Sequence, residues 1–196
     1  MLVAVLVASI GGGYYLYSAQ QTSYGFPFPC LPQESLYVHI HPYLRIVING
    51  NNITIPEGIG ITSTCLEPVH THDSSGIIHI ESPTNTNYTL GDFFKIWRAT
   101  YQTITINGVK HPIVFNSTDI FGFKVDKNHR LLLIVDGKQS FEYQNLVLNT
   151  LDYCNASNGS QPPCYPTATG DPYYAGNPYP YGTGHTIVIE YITGEG

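Results

Sequence analysis

With 196 residues the chain is long enough for one sizeable core and too short for two. Lys and Arg total 8 against 14 Asp and Glu, a formal charge of -6, and no basic cluster occurs; nucleic acid is therefore excluded as a partner, because phosphate binding needs a concentrated positive face. Charged residues are only 11% of the chain, against 16 Tyr, 19 Gly and 14 Pro, a balance that suits a β-rich surface carrying hydroxyls, amides or attached sugar and disfavours long exposed helices.

The first 33 residues carry no charge, and Leu2 to Ile10 is a strongly apolar run followed by three glycines and by Tyr14, Tyr15 and Tyr17. A spanning helix needs about 20 apolar residues, so residues 1–20 read as a hydrophobic anchor whose tyrosines sit at the interface. The basic region of a cleaved signal is missing and Tyr17-Ser18-Ala19 is a poor cleavage site, which places a signal peptide second. This N-terminal apolar helix is expected to meet membrane or neighbouring protein subunits. Residues 21–196 then form one extracytoplasmic β-rich domain.

Within that domain the segments 36–41, 43–48 and 53–55 read as strands, with Asn49-Gly50 marking a tight hairpin. Residues 76–81, 103–106, 131–135 and 186–192 share the β-branched character, with Asn107-Gly108 and Asp136-Gly137 as further turns. The expected fold class is mainly β, an antiparallel, sandwich-like sheet domain with one short helix at about 89–98. That helix is signalled by Thr89 with Asp92 three residues on, in a capping-box arrangement, and by an aromatic stripe of Phe93, Phe94 and Trp97 suited to packing on a sheet. From 153 to 185 the pattern dissolves into a Tyr/Pro/Gly-rich loop, suited to a partner subunit or polysaccharide if ordered.

Four cysteines, Cys30, Cys65, Cys154 and Cys164, lack any Cys-x-x-Cys spacing and are expected to form two disulfides in an oxidising compartment. Of the three connectivities, Cys30 with Cys65 and Cys154 with Cys164 are favoured. Asn52, Asn87, Asn116, Asn155 and Asn158 each open an Asn-x-Ser/Thr acceptor pattern, which points to N-linked glycans outside the cytoplasm.

The densest chemical signal is histidine. His39 and His41, His70 and His72, and His79 with Glu81 are each spaced i, i+2, which in an extended strand puts both side chains on one face. If neighbouring strands carry these pairs, up to five imidazoles with Asp73 or Glu81 converge. The expected metal ligands are His70, His72 and His39, followed by His41, His79 and Asp73. Imidazole and carboxylate suit zinc, copper, iron or nickel; with no cysteine nearby and the only Met at position 1, a soft copper(I) site is disfavoured and zinc or copper(II) fits best. No nucleophile elbow, P-loop, dinucleotide fingerprint or His-Glu-x-x-His helix occurs, and no particular catalytic residue is expected.

Four segments carry a resemblance: Tyr37-Val-His-Ile-His-Pro-Tyr-Leu44, Ile53-Thr-Ile-Pro-Glu-Gly-Ile-Gly60, His70-Thr-His-Asp-Ser-Ser-Gly-Ile-Ile-His-Ile-Glu81 and Tyr88-Thr-Leu-Gly-Asp-Phe-Phe-Lys-Ile-Trp97. Over roughly residues 36–150 the chain resembles a group of archaeal and bacterial extracytoplasmic proteins of unassigned function. The resemblance implies location and architecture, not activity. A cupin pattern fits poorly, because Gly60 stands too far before His70 and Glu81 arrives nine residues after His72.

The expected function is a membrane-anchored, glycosylated extracytoplasmic domain that binds a divalent metal and acts in binding or assembly at the cell surface. A structural subunit of a cell-surface filament or membrane complex, homo-oligomeric through the apolar N-terminus, is the alternative, and an extracytoplasmic metalloenzyme the third.

Overall fold

The computed structural model describes residues 25–33, 37–151 and 185–194. The expected N-terminal helix, Cys154, Cys164, Asn155, Asn158 and all of the Tyr/Pro/Gly loop except His185 lie outside the described residues. Among the described residues no helix is long and apolar enough to cross a membrane.

The described chain is mainly β, as its alternating segments imply. In chain order it forms β1 (Val38–Ile40), β2 (Tyr43–Ile48), β3 (Asn51–Ile53), β4 (Val69–His70), β5 (His79–Ser82), helix α1 (Leu90–Tyr101), β6 (Thr103–Ile106) and β7 (Val109–Pro112). There follow β8 (Phe115–Asn116), β9 (Asp119–Ile120), β10 (Phe123–Lys124), β11 (His129–Val135), β12 (Lys138–Ser140), a 3-10 turn (Tyr143–Asn145) and β13 (Thr186–Thr193).

Hairpins form where the turn residues stand. Asn49, Asn107 and Asp136, each followed by Gly, all take positive φ at 49°, 50° and 51°, the backbone that a two-residue connection with the right twist demands. They join β2 to β3, β6 to β7 and β11 to β12.

The largest sheet has the order β12-β11-β13-β2-β3. Its pairings are antiparallel except at the centre, where β13 runs parallel to β2, Ile187 beside Leu44 and Ile189 beside Ile46. An all-antiparallel sheet is thus not what forms. The reason is visible in β13: Ile187, Val188 and Ile189 are buried on both faces, the continuous apolar run of an interior strand.

Helix α1 starts where its cap permits. Thr89 Oγ1 accepts the Asp92 N–H at 3.2 Å while Asp92 Oδ2 accepts the Thr89 N–H at 3.0 Å, satisfying two donors that the first turn leaves over. Its stripe of Phe93, Phe94, Ile96 and Trp97 is buried and shares one core with Leu44, Ile46, Val69, Ile80 and Ile189. Each such aromatic contributes roughly 1.5–3 kcal/mol by leaving water.

Separate from the large sheet is a three-stranded one of order β1-β5-β4, antiparallel throughout. One face presents Val38, Val69 and Ile80 to the common core. The other face carries the histidines.

Candidate metal centre

Register alone assembles most of this face. His39 stands directly opposite Glu81, and His70 directly opposite His79. Because β5 lies between β1 and β4, and because side chains alternate with a period of two, His79 and Glu81 point the same way and meet both neighbours. His41 and His72 follow two residues after His39 and His70, just beyond the ends of β1 and β4, and continue the same face. The rings touch in a row. His39 and His41 centroids are 4.5 Å apart, His41 and His79 4.7 Å, His79 and His72 4.4 Å, and His72 and His70 4.7 Å.

The backbone behind β4 is held tightly. Thr71 is fully buried; its hydroxyl donates to the Pro56 carbonyl at 2.9 Å and accepts the Ile59 N–H at 3.1 Å. Gly60 has φ +75°, and a Cβ there would lie 2.8 Å from the Val69 carbonyl and 3.0 Å from Ile96, so only glycine lets the 57–60 turn pack beneath the strand. The segment before β4 is tied to residues 25–33 by the Cys30–Cys65 disulfide, the first of the two expected pairs.

Six side chains form two ligand groups, His39, His41, His79 and Glu81, and His70, His72, His79 and Glu81; within each, one ligand atom from every residue lies within 4.8 Å of the others. Five of the six expected ligands are thus brought together. The sixth, Asp73, takes no part: its Oδ1 accepts the Ser75 N–H at 2.8 Å in the bend that follows. Glu81 supplies the carboxylate instead. The signal for it was its i, i+2 spacing from His79, whereas Asp73 sits in a Ser-rich bend where a short carboxylate caps its own backbone.

Glu81 is 2% exposed and lies at the centre. Its Oε1 is 3.3 Å from His39 Nε2 and 3.3 Å from His79 Nδ1, and its Oε2 is 4.0 Å from His70 Nε2 and accepts no hydrogen bond from the described residues. Burial favours the protonated form, but the hydrogen bond from His79 and the electrostatic pull of the neighbouring His70, His39 and His79 outweigh it, leaving the carboxyl below its ordinary pKa.

His70 is fully buried, and its Nδ1 lies 2.8 Å from the Glu67 carbonyl. A carbonyl only accepts, so Nδ1 carries the proton, and the neutral ring turns the lone pair of Nε2 toward His72 Nε2, 3.2 Å away. Burial above all holds the His70 pKa down to about 4. His41 is held down to about 3, by burial first and then by the neighbouring His79 and His39. Both rings are therefore neutral at pH 7, the state in which imidazole binds metal.

These spacings match what an ion asks of its ligands. Bonds of about 2.0–2.1 Å at tetrahedral angles put neighbouring ligand atoms about 3.3 Å apart. The 3.2 Å between His70 and His72 and the 3.3 Å from Glu81 to His39 and His79 already have that length. His72 is exposed and His39 half-buried, so the face opens to solvent along one rim.

Sequence reading did not single out Glu67, which is fully buried below His70. Burial pushes its pKa up to about 8, against a lowering contribution from the Phe28 backbone amide. Its Oε1 lies 3.8 Å from Cys65 Sγ, a sulfur with no proton to donate in the disulfide, and its Oε2 has no hydrogen-bond partner among the described residues.

Of the acceptor asparagines, Asn52 and Asn87 are exposed and Asn116 is half-buried. Asn116 Oδ1 accepts both the backbone N–H and the hydroxyl of Thr118, each at 2.9 Å. His111, His129 and His185 lie elsewhere; His129 pairs with Asp126 at 2.8 Å and His185 with Asp136 at 2.7 Å.

The fold and site define a mainly β domain with a His/Glu group able to hold a metal ion. No family model matches the chain, and neither a curated protein nor a solved structure matches it.

Proposed function

We propose that this protein is an extracytoplasmic, membrane-anchored metal-binding domain that takes zinc or copper(II) on the histidine face of its small sheet and acts in binding or assembly rather than turnover. The observation that carries this reading is the convergence of five imidazoles and one buried carboxylate from three strands. Glu81 Oε2 is desolvated and accepts no hydrogen bond from the described residues, a buried polar atom that an ion would satisfy. Binding an ion gives that oxygen the partner that burial has taken away.

The location rests on the Cys30–Cys65 disulfide, which favours an oxidising compartment, and on the acceptor patterns at Asn52, Asn87, Asn116, Asn155 and Asn158. The uncharged N-terminal segment supports an anchor to the membrane or to neighbouring subunits.

Elemental analysis of purified protein tests the metal reading. The expected result is at least one equivalent of a divalent transition metal, lost when His39, His41, His70 and His72 are all replaced by alanine. A substoichiometric content left unchanged by that replacement overturns it.

A further inference from the structure

The ligand atoms on the histidine face resolve into two sets, one with His39 and His41 and one with His70 and His72, sharing only His79 and Glu81. An ion with bonds of about 2.0–2.2 Å cannot gather both outer pairs at once without moving the strands that carry them. Glu81 lies between the sets with one oxygen for each. Oε1 faces His39 and His79 at 3.3 Å, and Oε2, buried and accepting no hydrogen bond from the described residues, faces His70 at 4.0 Å.

We propose that the face holds two ions side by side, one on His39 and His41 and the other on His70 and His72, with Glu81 bridging them through its two oxygens. The proposal rests on the metal-binding reading above and deepens it. His79, whose ring lies 4.7 Å from His41 and 4.4 Å from His72, gives its lone pair to one ion and completes four protein ligands there. The other ion keeps three and has an open position at the rim where His72 reaches solvent. Two divalent ions against one carboxylate leave surplus positive charge, so the second binds more weakly than the first and draws a solvent-derived anion to its open position.

Copper(II) is the probe, titrated into metal-free, full-length protein and followed by calorimetry, elemental analysis and electron paramagnetic resonance. Two ions bind in two steps, and at the second equivalent the spin count falls below the copper content because carboxylate-bridged ions couple. His39→Ala/His41→Ala and His70→Ala/His72→Ala each retain one ion with an uncoupled signal. Saturation of the wild type at one ion overturns the pair while leaving the metal site standing. Two uncoupled spins, or two ions surviving in both double variants, overturn it by placing the second ion elsewhere. Wild type that binds no copper(II) or zinc overturns the metal reading itself. The wild-type stoichiometry and spin count decide the matter even if a double variant does not fold.

Discussion

His39 and Glu81 are direct cross-strand partners, and their side chains meet at 3.3 Å between Nε2 and Oε1. A single step of register between β1 and β5 would send one of them into the hydrophobic core and the other to the opposite face. The pairing is locked by what lies behind it, since Val38 and Ile80 fill the core side of the same two strands.

Glu81→Gln removes the charge while keeping the shape. Metal affinity is expected to fall by about 100-fold or more, since even groups that only support a ligand are worth roughly 10–100-fold. Isothermal titration with zinc measures it; an affinity within a factor of about 3 of wild type would show that Glu81 is not a ligand.

Stability without metal depends on pH in two opposing ways. Unfolded histidines take up protons below 6.5, whereas folded His41 and His70 stay neutral down to about 3 and about 4. The unfolded chain binds more protons in that window, so stability falls as pH drops below 6.5. Glu67 acts the other way: raised from 4.5 to about 8, it keeps a proton in the folded chain that the unfolded chain releases, so stability also falls as pH rises toward 8. Two histidines outweigh one glutamate between 4.5 and 6.5, and Glu67 alone acts above that. Denaturant unfolding in the presence of a chelator is expected to give a maximum near pH 6.5, with a slope on either side of about 1.4 kcal/mol per pH unit. In Glu67→Gln the alkaline decline disappears and the acid limb steepens; an unchanged alkaline limb would remove Glu67 from the explanation.

The cross-link between Cys30 and Cys65 spans 35 positions. Closing a loop of that size constrains the unfolded chain by about 3–4 kcal/mol on the chain-entropy estimate. Replacing both cysteines by serine is expected to lower Tm by roughly 10 °C, read by calorimetry. A shift below about 2 °C would mean that this pair does little to hold residues 25–33 against the sheet.

Gly60→Ala tests the brace under β4. At φ +75°, with the Val69 carbonyl 2.8 Å from the added methyl, the substitution is expected to cost about 2–4 kcal/mol and to weaken metal binding by displacing His70. Gly50→Ala, at φ +80° with no atom within 4 Å of the new Cβ, is the control: it carries the backbone cost alone and leaves metal binding intact.

Local features were legible wherever a short-range pattern dictates them. The Asn49-Gly50, Asn107-Gly108 and Asp136-Gly137 hairpins, the Thr89/Asp92 cap and the common face of His79 and Glu81 follow from spacing and turn chemistry. Long-range pairing did not. That Thr186 lies beside Tyr43, in parallel, depends on which apolar strand best fills the middle of a sheet, and nothing near either residue encodes the other. The same limit explains the carboxylate. Asp73 and Glu81 are equally near the histidines in sequence, but only Glu81 stands on a strand flanked by β1 and β4. Glu67 escaped notice because its burial comes from the disulfide segment and the 57–60 turn closing over it, contacts invisible in its own neighbours along the chain.

Anomalous diffraction from crystals soaked in zinc, recorded at the zinc edge, addresses the metal centre most directly. The expected result is anomalous density on the histidine face within about 2.0–2.2 Å of Glu81 and of at least two imidazoles. A map with no peak among His39, His41, His70, His72 and His79, at zinc concentrations that label other histidines on the surface, would contradict a metal site there.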